Sequence, residues 1–465
     1  MGEITSMDAR ELSALLTTGK VSAHEVVRAH LDRIETVNPD INAVVTLCPE
    51  RALAEADEAD RKLRSGAETG PLHGIPIAHK DTHETGGVRT TFGSPLFAEH
   101  VPERDELVVE RTRAAGAITI GKTNVPEFAM GSHTFNPVFG TTRNPHDTGR
   151  SAGGSSGGAA AALASGMTPL ADGSDMGGSL RNPASFCGVV GLRPSPGRVP
   201  TWPDVLGWQT MSVQGPMTRT VADCALLLSV LAGPDPRCPI ALGEPGADFA
   251  GPLDGEVRGL RVAWAPDLGG RVPVDPSVTA TLQRAVETIA GTGCTVEPDC
   301  PNLDGADEVF RVLRAAQLGY GLAEHLDVVK PSLAENARAG LALSAADVMR
   351  AEARHTELFE RVWEFFTRYD ILLAPVSQVP PFPAELEYPA EVAGQAMHDY
   401  LEWMRSAYLI SATGCPALSL PAGFTEGGLP IGLQVIGPHR AEAAVLRAAH
   451  AFETALGGAP GVVRG

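Results

Sequence analysis

Residues 151–192 read SAGGSSGGAAAALASGMTPLADGSDMGGSLRNPASFCGVVGL, and they constrain the chain more than any other stretch. Two glycine-flanked serine clusters, Gly153–Gly158 and Gly177-Gly178-Ser179, enclose a run of small residues from Ala159 to Ser165. Glycine at this density costs backbone entropy, so it is kept where backbone must approach something closely or take a positive φ. Consecutive peptide N–H groups without side chains around them can converge on a developing oxyanion. Ser179, at the end of such a pair, is the candidate nucleophile.

A serine hydroxyl needs a base to become a nucleophile. No histidine lies between His146 and His325, although a distant one can still fold back. The other choice is lysine, and the chain has five: Lys20, Lys62, Lys80, Lys122 and Lys330. Lys80 follows Gly74-Ile75-Pro76-Ile77-Ala78-His79, a short apolar run after a turn that predicts a buried strand. Burial disfavours the ammonium form and lowers the pKa, so Lys80 is the candidate base near pH 7.

Several motifs then occur in order: Gly74-x-Pro76-x-x-x-Lys80-Asp81, Gly121–Met130, the Gly153–Gly158 cluster, Gly173–Arg181, Phe186–Pro194 and Gly428–Gly437. Together they resemble the amidase signature family, over nearly the whole chain. The resemblance implies a three-layer α/β/α fold with a large mixed central sheet. It implies a triad of Ser179 as nucleophile, Ser155 as bridging serine with a cis peptide bond, and Lys80 as base. Met176, Gly177, Gly178 and Ser179 match the backbone of an oxyanion hole. Asp175 and Arg181 match a pair bracing that loop, and Ser156 reads as a structural hydroxyl. Phe128, Met130 and Gly131 match one wall of the substrate pocket. No metal and no cofactor are implied.

The expected activity is hydrolysis of small, fairly apolar amides or anilides, with esters and carbamates open to the same acyl-serine route. The alternative is the glutaminase component of a glutamyl-tRNA amidotransferase, which shares the framework. Against it, Met176 stands where that component is expected to carry threonine, and Pro196 and Trp202 depart from its following segment. Intact triad positions argue against a non-catalytic scaffold.

The remaining features set limits. A net charge of −19 disfavours nucleic acid and anionic membrane surfaces as partners. Cys48, Cys187, Cys224, Cys238, Cys294, Cys300 and Cys415 are widely spaced and odd in number, which argues against a disulfide framework or a zinc site. No stretch reaches 18 apolar residues and the N-terminus lacks the pattern of a secretory leader, so a cytoplasmic protein is expected, as monomer or homodimer. With 43% apolar residues the 465-residue chain can bury a large core. Residues 1–465 are read as a single domain, with N-terminal helices in 1–70 packed on a catalytic core of 71–465. Alternating strand and helix patterns argue for an α/β arrangement. Helices are expected over 6–20, from the capping box at Ser22, over 50–65, 345–368 and 396–410, and at the C-terminus. In 396–410, Tyr400, Trp403, Met404 and Tyr408 form a stripe read as core packing or as a pocket wall.

Overall fold

The computed structural model describes residues 4–255 and 257–463. Eleven strands make one mixed sheet: β1 (Val44–Leu47), β2 (Pro76–Lys80), β3 (Ile118–Thr123), β4 (Leu170–Asp175), β5 (Val190–Arg193), β6 (Val213–Thr218), β7 (Arg261–Trp264), β8 (Thr295–Pro298), β9 (Ile371–Pro375), β10 (Ala417–Phe424) and β11 (Pro430–Ile436). Their order across the sheet is β1-β3-β2-β4-β6-β5-β10-β11-β9-β7-β8. Pairing is parallel on both sides of β2 and of β7. It is antiparallel from β4 through to β9, and between β1 and β3 at the edge.

Strand side chains alternate between faces, and here both faces are covered. Ile371 and Leu373 of β9 enter one hydrophobic core, while Leu372 and Ala374 enter another. The first core is completed by α1 (Ala9–Thr17), α2 (Ala23–Ile41), α3 (Pro49–Arg64), α4 (Leu107–Ala114), α5 (Gly157–Ala164), part of α6 (Arg181–Cys187), α7 (Val221–Leu231), α8 (Pro276–Ala290) and the C-terminal helix at Glu442–Ala455. The second is completed by α9 (Ala306–Leu322), α11 (Ala345–Phe365) and α12 (Arg405–Ser411). This is the three-layer α/β/α arrangement with a mixed central sheet. No helix among the described residues is long and apolar enough to cross a membrane.

The first helix is shorter than expected because Asp8, with Glu11, forms a capping box that starts it at Ala9. Ser22 and Glu25 cap α2 in the same way. The N-terminal segment gives more than helices, since β1 pairs with β3 and extends the sheet. The expected helix over 396–410 is broken. Asp399 Oδ1 accepts the N–H groups of Leu401 at 2.9 Å and Glu402 at 3.1 Å, which delays regular helix to Arg405.

Between β8 and α11, α9 and α10 (Pro331–Leu341) form a hairpin that periodicity does not single out. The two helices approach closely at Gly340, where a Cβ would run into Ala315 O. This contact fixes the stretch of α9 that carries Phe310 and Arg314 toward the site described next.

Candidate active site

All five residues of β2 are buried, with a parallel neighbour on each side, so Lys80 ends a strand from which water is excluded. Its Nζ lies 2.8 Å from Ser155 Oγ and 2.9 Å from Ser174 Oγ. Burial pushes its pKa down to about 7, against the opposing pull of the Asp175 and Asp172 carboxylates. Near neutral pH, a large share of Lys80 is therefore free amine. Asp172 Oδ1 accepts the Lys80 backbone N–H at 2.8 Å, which fixes the strand end.

Ser155 lies just before α5, and the Gly154–Ser155 peptide bond is cis. The turn is held from outside by the segment 132–134. Ser132 Oγ donates to Gly154 O at 3.0 Å, and Thr134 Oγ1 donates to Gly153 O at 2.8 Å. A Cβ on Gly154 would sit 2.8 Å from His133 N, so only glycine allows this close approach.

Ser179 lies in the turn between β4 and α6. Asp175, fully buried, organises that turn. Its carboxylate accepts Gly178 N–H at 2.9 Å, Leu180 N–H at 3.1 Å, and Arg181 Nε and Nη2 at 3.0 Å each. Arg193 reaches the same carboxylate at 3.2 Å. Burial alone would raise the Asp175 pKa, but the two guanidiniums and the Gly178 N–H outweigh it and hold the carboxyl well below the usual range. Arg181 in turn donates to Gln434 Oε1 at 2.7 Å and Ser411 Oγ at 2.6 Å, tying the turn to β11 and α12.

This bracing corrects one expectation. Gly178 N–H is spent on Asp175 and does not face the cavity. Met176, Gly177 and Ser179 do line the cavity, and their N–H groups make no hydrogen bond among the described residues. The set free to meet an oxyanion is thus three, not four. Ser156 also differs from expectation: its hydroxyl is buried without a partner, and its part is played by backbone, through N–H donated to Ser179 O at 3.3 Å.

Ser155, Ser174 and Ser179 share a cavity of about 110 Å³. Phe128, Met130 and Gly131 line it, together with Phe310, Arg314, Tyr400 and Met404. The stripe near residue 400 therefore splits. Tyr400 and Met404 face the cavity, while Trp403 stacks 5.9 Å from Phe186 and Tyr408 stacks 4.4 Å from Phe310. Phe128 and Ala129 adopt φ of 51° and 58°, unusual for residues with side chains. Lys330 holds this loop by donating from Nζ to Met130 O at 2.7 Å, and its backbone N–H donates to Glu127 Oε2 at 2.8 Å.

Sequence reading misses Ser174, Phe310 and Arg314. Strand alternation is the available signal for Ser174, because on β4 it shares a face with Asp172, two residues earlier. Phe310 and Arg314 have no comparable signal, because the turn of α9 against the site is set by the hairpin. Lys122, the other lysine buried in the sheet, does not line the cavity. It donates to His83 O, to Thr85 Oγ1 at 2.8 Å and to Thr90 Oγ1 at 3.1 Å, holding the loop after β2. Cys187 is buried and burial pushes its thiol up, which suits packing rather than attack.

Comparison with known proteins agrees with this fold. A family model described as Amidase matches residues 25–446. An acylamidase of Rhodococcus erythropolis is 36% identical over 458 residues, covering 96% of this chain and 95% of that protein. The A component of the glutamyl-tRNA(Gln) amidotransferase of Moorella thermoacetica is 38% identical, and the match covers 97% of each chain. The solved structure of a bacterial aryl acylamidase of the amidase signature family superposes with a TM-score of 0.91 at 30% identity, over 97% of this chain and 96% of that one. Matched in sequence and in fold along nearly its whole length, the chain belongs to the amidase signature family and is an amide-hydrolysing enzyme.

Proposed function

We propose that the enzyme hydrolyses small, fairly apolar carboxylic amides or anilides through an acyl-enzyme on Ser179. Neutral Lys80 takes a proton through Ser155 as Ser179 Oγ attacks the carbonyl carbon. The N–H groups of Met176, Gly177 and Ser179 receive the oxyanion. The proton then returns through Ser155 to the leaving nitrogen, because an amine leaves poorly until protonated. Water cleaves the acyl-serine ester by the same relay, so esters and carbamates can follow the same route.

The observation that carries this reading is the 2.8 Å contact between Lys80 Nζ, behind the cavity, and the Oγ of Ser155, which lines the cavity together with Ser179. The apolar lining and the resemblance to an aryl acylamidase support a free-standing amidase; a cytoplasmic location and a monomeric or homodimeric state are part of the proposal and rest on neither observation. A second reading, the glutaminase component of a glutamyl-tRNA amidotransferase, is favoured by the 38% identity to such a protein. The test is turnover by purified protein alone of glutamine, an aliphatic amide, an anilide and an aryl carbamate. Turnover of the anilide supports the amidase. Turnover of glutamine only, or no activity until partner proteins are added, favours the second reading.

A further inference from the structure

Arg314 is 3% exposed, and among the described residues it is the single Asp, Glu, Lys, Arg or His lining the catalytic cavity. Its Nη1 donates to Asn336 Oδ1 at 2.9 Å and its Nη2 donates to Tyr400 OH. Both partners are neutral, and two of the guanidinium's five N–H groups are thereby used. Among the described residues no carboxylate lies within ion-pair distance of it. Arg181, Arg193 and Arg198 are similarly buried and each contacts a carboxylate of Asp175 or Glu442, whereas the buried Arg219 donates to the backbone carbonyls of Thr168 and Met7; Arg314 differs from all four in lining the cavity. A buried cation without a counter-charge is costly, and one that lines a cavity can have that charge supplied by a ligand. Guanidinium is matched to carboxylate by two parallel hydrogen bonds. The aromatic ring of Tyr400, 5.4 Å from Arg314 Cζ, and the neighbouring Asn336 hold the group in one orientation.

We propose that Arg314 binds a carboxylate on the substrate, so that the preferred amides are half-amides of short dicarboxylic acids. This rests on the amidase chemistry above and changes its substrate from a fairly apolar amide to an anionic one: the apolar walls take the methylene chain and Arg314 takes its far end. Hydrolysis breaks the C–N bond, forms a C–O bond from water, and releases the dicarboxylic acid and ammonia. Among the described residues no acidic side chain lines the cavity to meet an α-ammonium group, which sets this substrate class apart from glutamine.

The test compares kcat/KM for glutaramate with that for its neutral isostere pentanamide. The wild-type protein is expected to prefer glutaramate at least tenfold, mainly through KM. Arg314→Gln is expected to lower that preference at least tenfold, with partial return in Arg314→Lys. Because Arg314 also ties α9 to Asn336 and Tyr400, a thermal melt accompanies each variant. Binding of glutarate to Ser179→Ala, measured by calorimetry, gives a readout that does not depend on turnover, and the Ser179→Ala/Arg314→Gln double variant is expected to lose it. Equal turnover of both amides by the wild type without glutarate binding overturns the Arg314 assignment and leaves the amidase reading intact. Glutarate binding that depends on Arg314, with no turnover of any amide, upholds the anion site and overturns the amidase reading.

Discussion

Ser174 Oγ lies 2.9 Å from Lys80 Nζ, almost as near as the 2.8 Å contact that Lys80 makes with Ser155. A neutral amine has one lone pair, so it accepts a hydrogen bond from one hydroxyl while donating to another. With Ser174 as acceptor, the lone pair is left for Ser155. Ser174→Ala is expected to lower kcat by up to roughly 10²-fold through misplacement of Lys80, with a smaller change in KM. Steady-state kinetics with an anilide check this, and unchanged kcat would remove Ser174 from the relay.

The Lys80 pKa of about 7 fixes the direction of the pH dependence. Only the unprotonated amine serves as base, so kcat/KM is expected to be level above about pH 8 and to fall roughly tenfold per unit well below pH 7. The same shift has a stability consequence. The unfolded lysine keeps a pKa near 10.5, so between about 7 and 10.5 the unfolded chain binds more protons and this group's penalty shrinks as pH rises. Lys80→Met, similar in shape and uncharged, is expected to abolish activity yet raise the melting temperature at pH 6. A melt at pH 6 and pH 9 tests the sign: the gain is expected to be smaller at pH 9.

Asp175 carries the largest structural burden of the site. Asp175→Asn leaves Arg181 and Arg193 buried without a counter-charge, and removal of one partner from a buried ion pair costs about 3–5 kcal/mol. Urea denaturation is expected to show a loss of that size, together with loss of activity, since the Ser179 turn is folded around this carboxylate. A variant of near wild-type stability would contradict the bracing role.

Gly177 controls the depth of the cavity. A Cβ there would sit 2.8 Å from Met404 Cε and 2.8 Å from Phe310 Cζ. Gly177→Ala is expected to push both side chains into the cavity and to raise KM more for an anilide than for an aliphatic amide. A parallel rise for both substrates would place the effect elsewhere.

The parts of this site that are legible in the sequence are those written in local backbone chemistry. Lys80 at the end of an apolar run, and the serines beside paired glycines, announce themselves because burial and close backbone approach restrict residue type within a few positions. Gly178 is misread from sequence for the converse reason. All the N–H groups of a glycine-rich turn look alike in sequence, and which one points inward depends on Asp175 competing for it. Arg314 and Phe310 reach the cavity through the packing of α9 on α10, a long-range contact with no local signature. Tyr400 and Trp403 show the same limit within one turn. Both are buried aromatics, and only the fold decides that one lines the cavity and the other fills the core.

At the centre of the proposed mechanism, Ser179 forms the acyl-enzyme with Lys80 as base. The most direct measurement is acid-quenched peptide mapping by mass spectrometry after brief exposure to an activated aryl ester. One acyl group is expected on Ser179, formed at a rate that falls below pH 7 and absent from Ser179→Ala and Lys80→Met. Acylation of another residue, or turnover at the normal rate in Ser179→Ala, would contradict this mechanism.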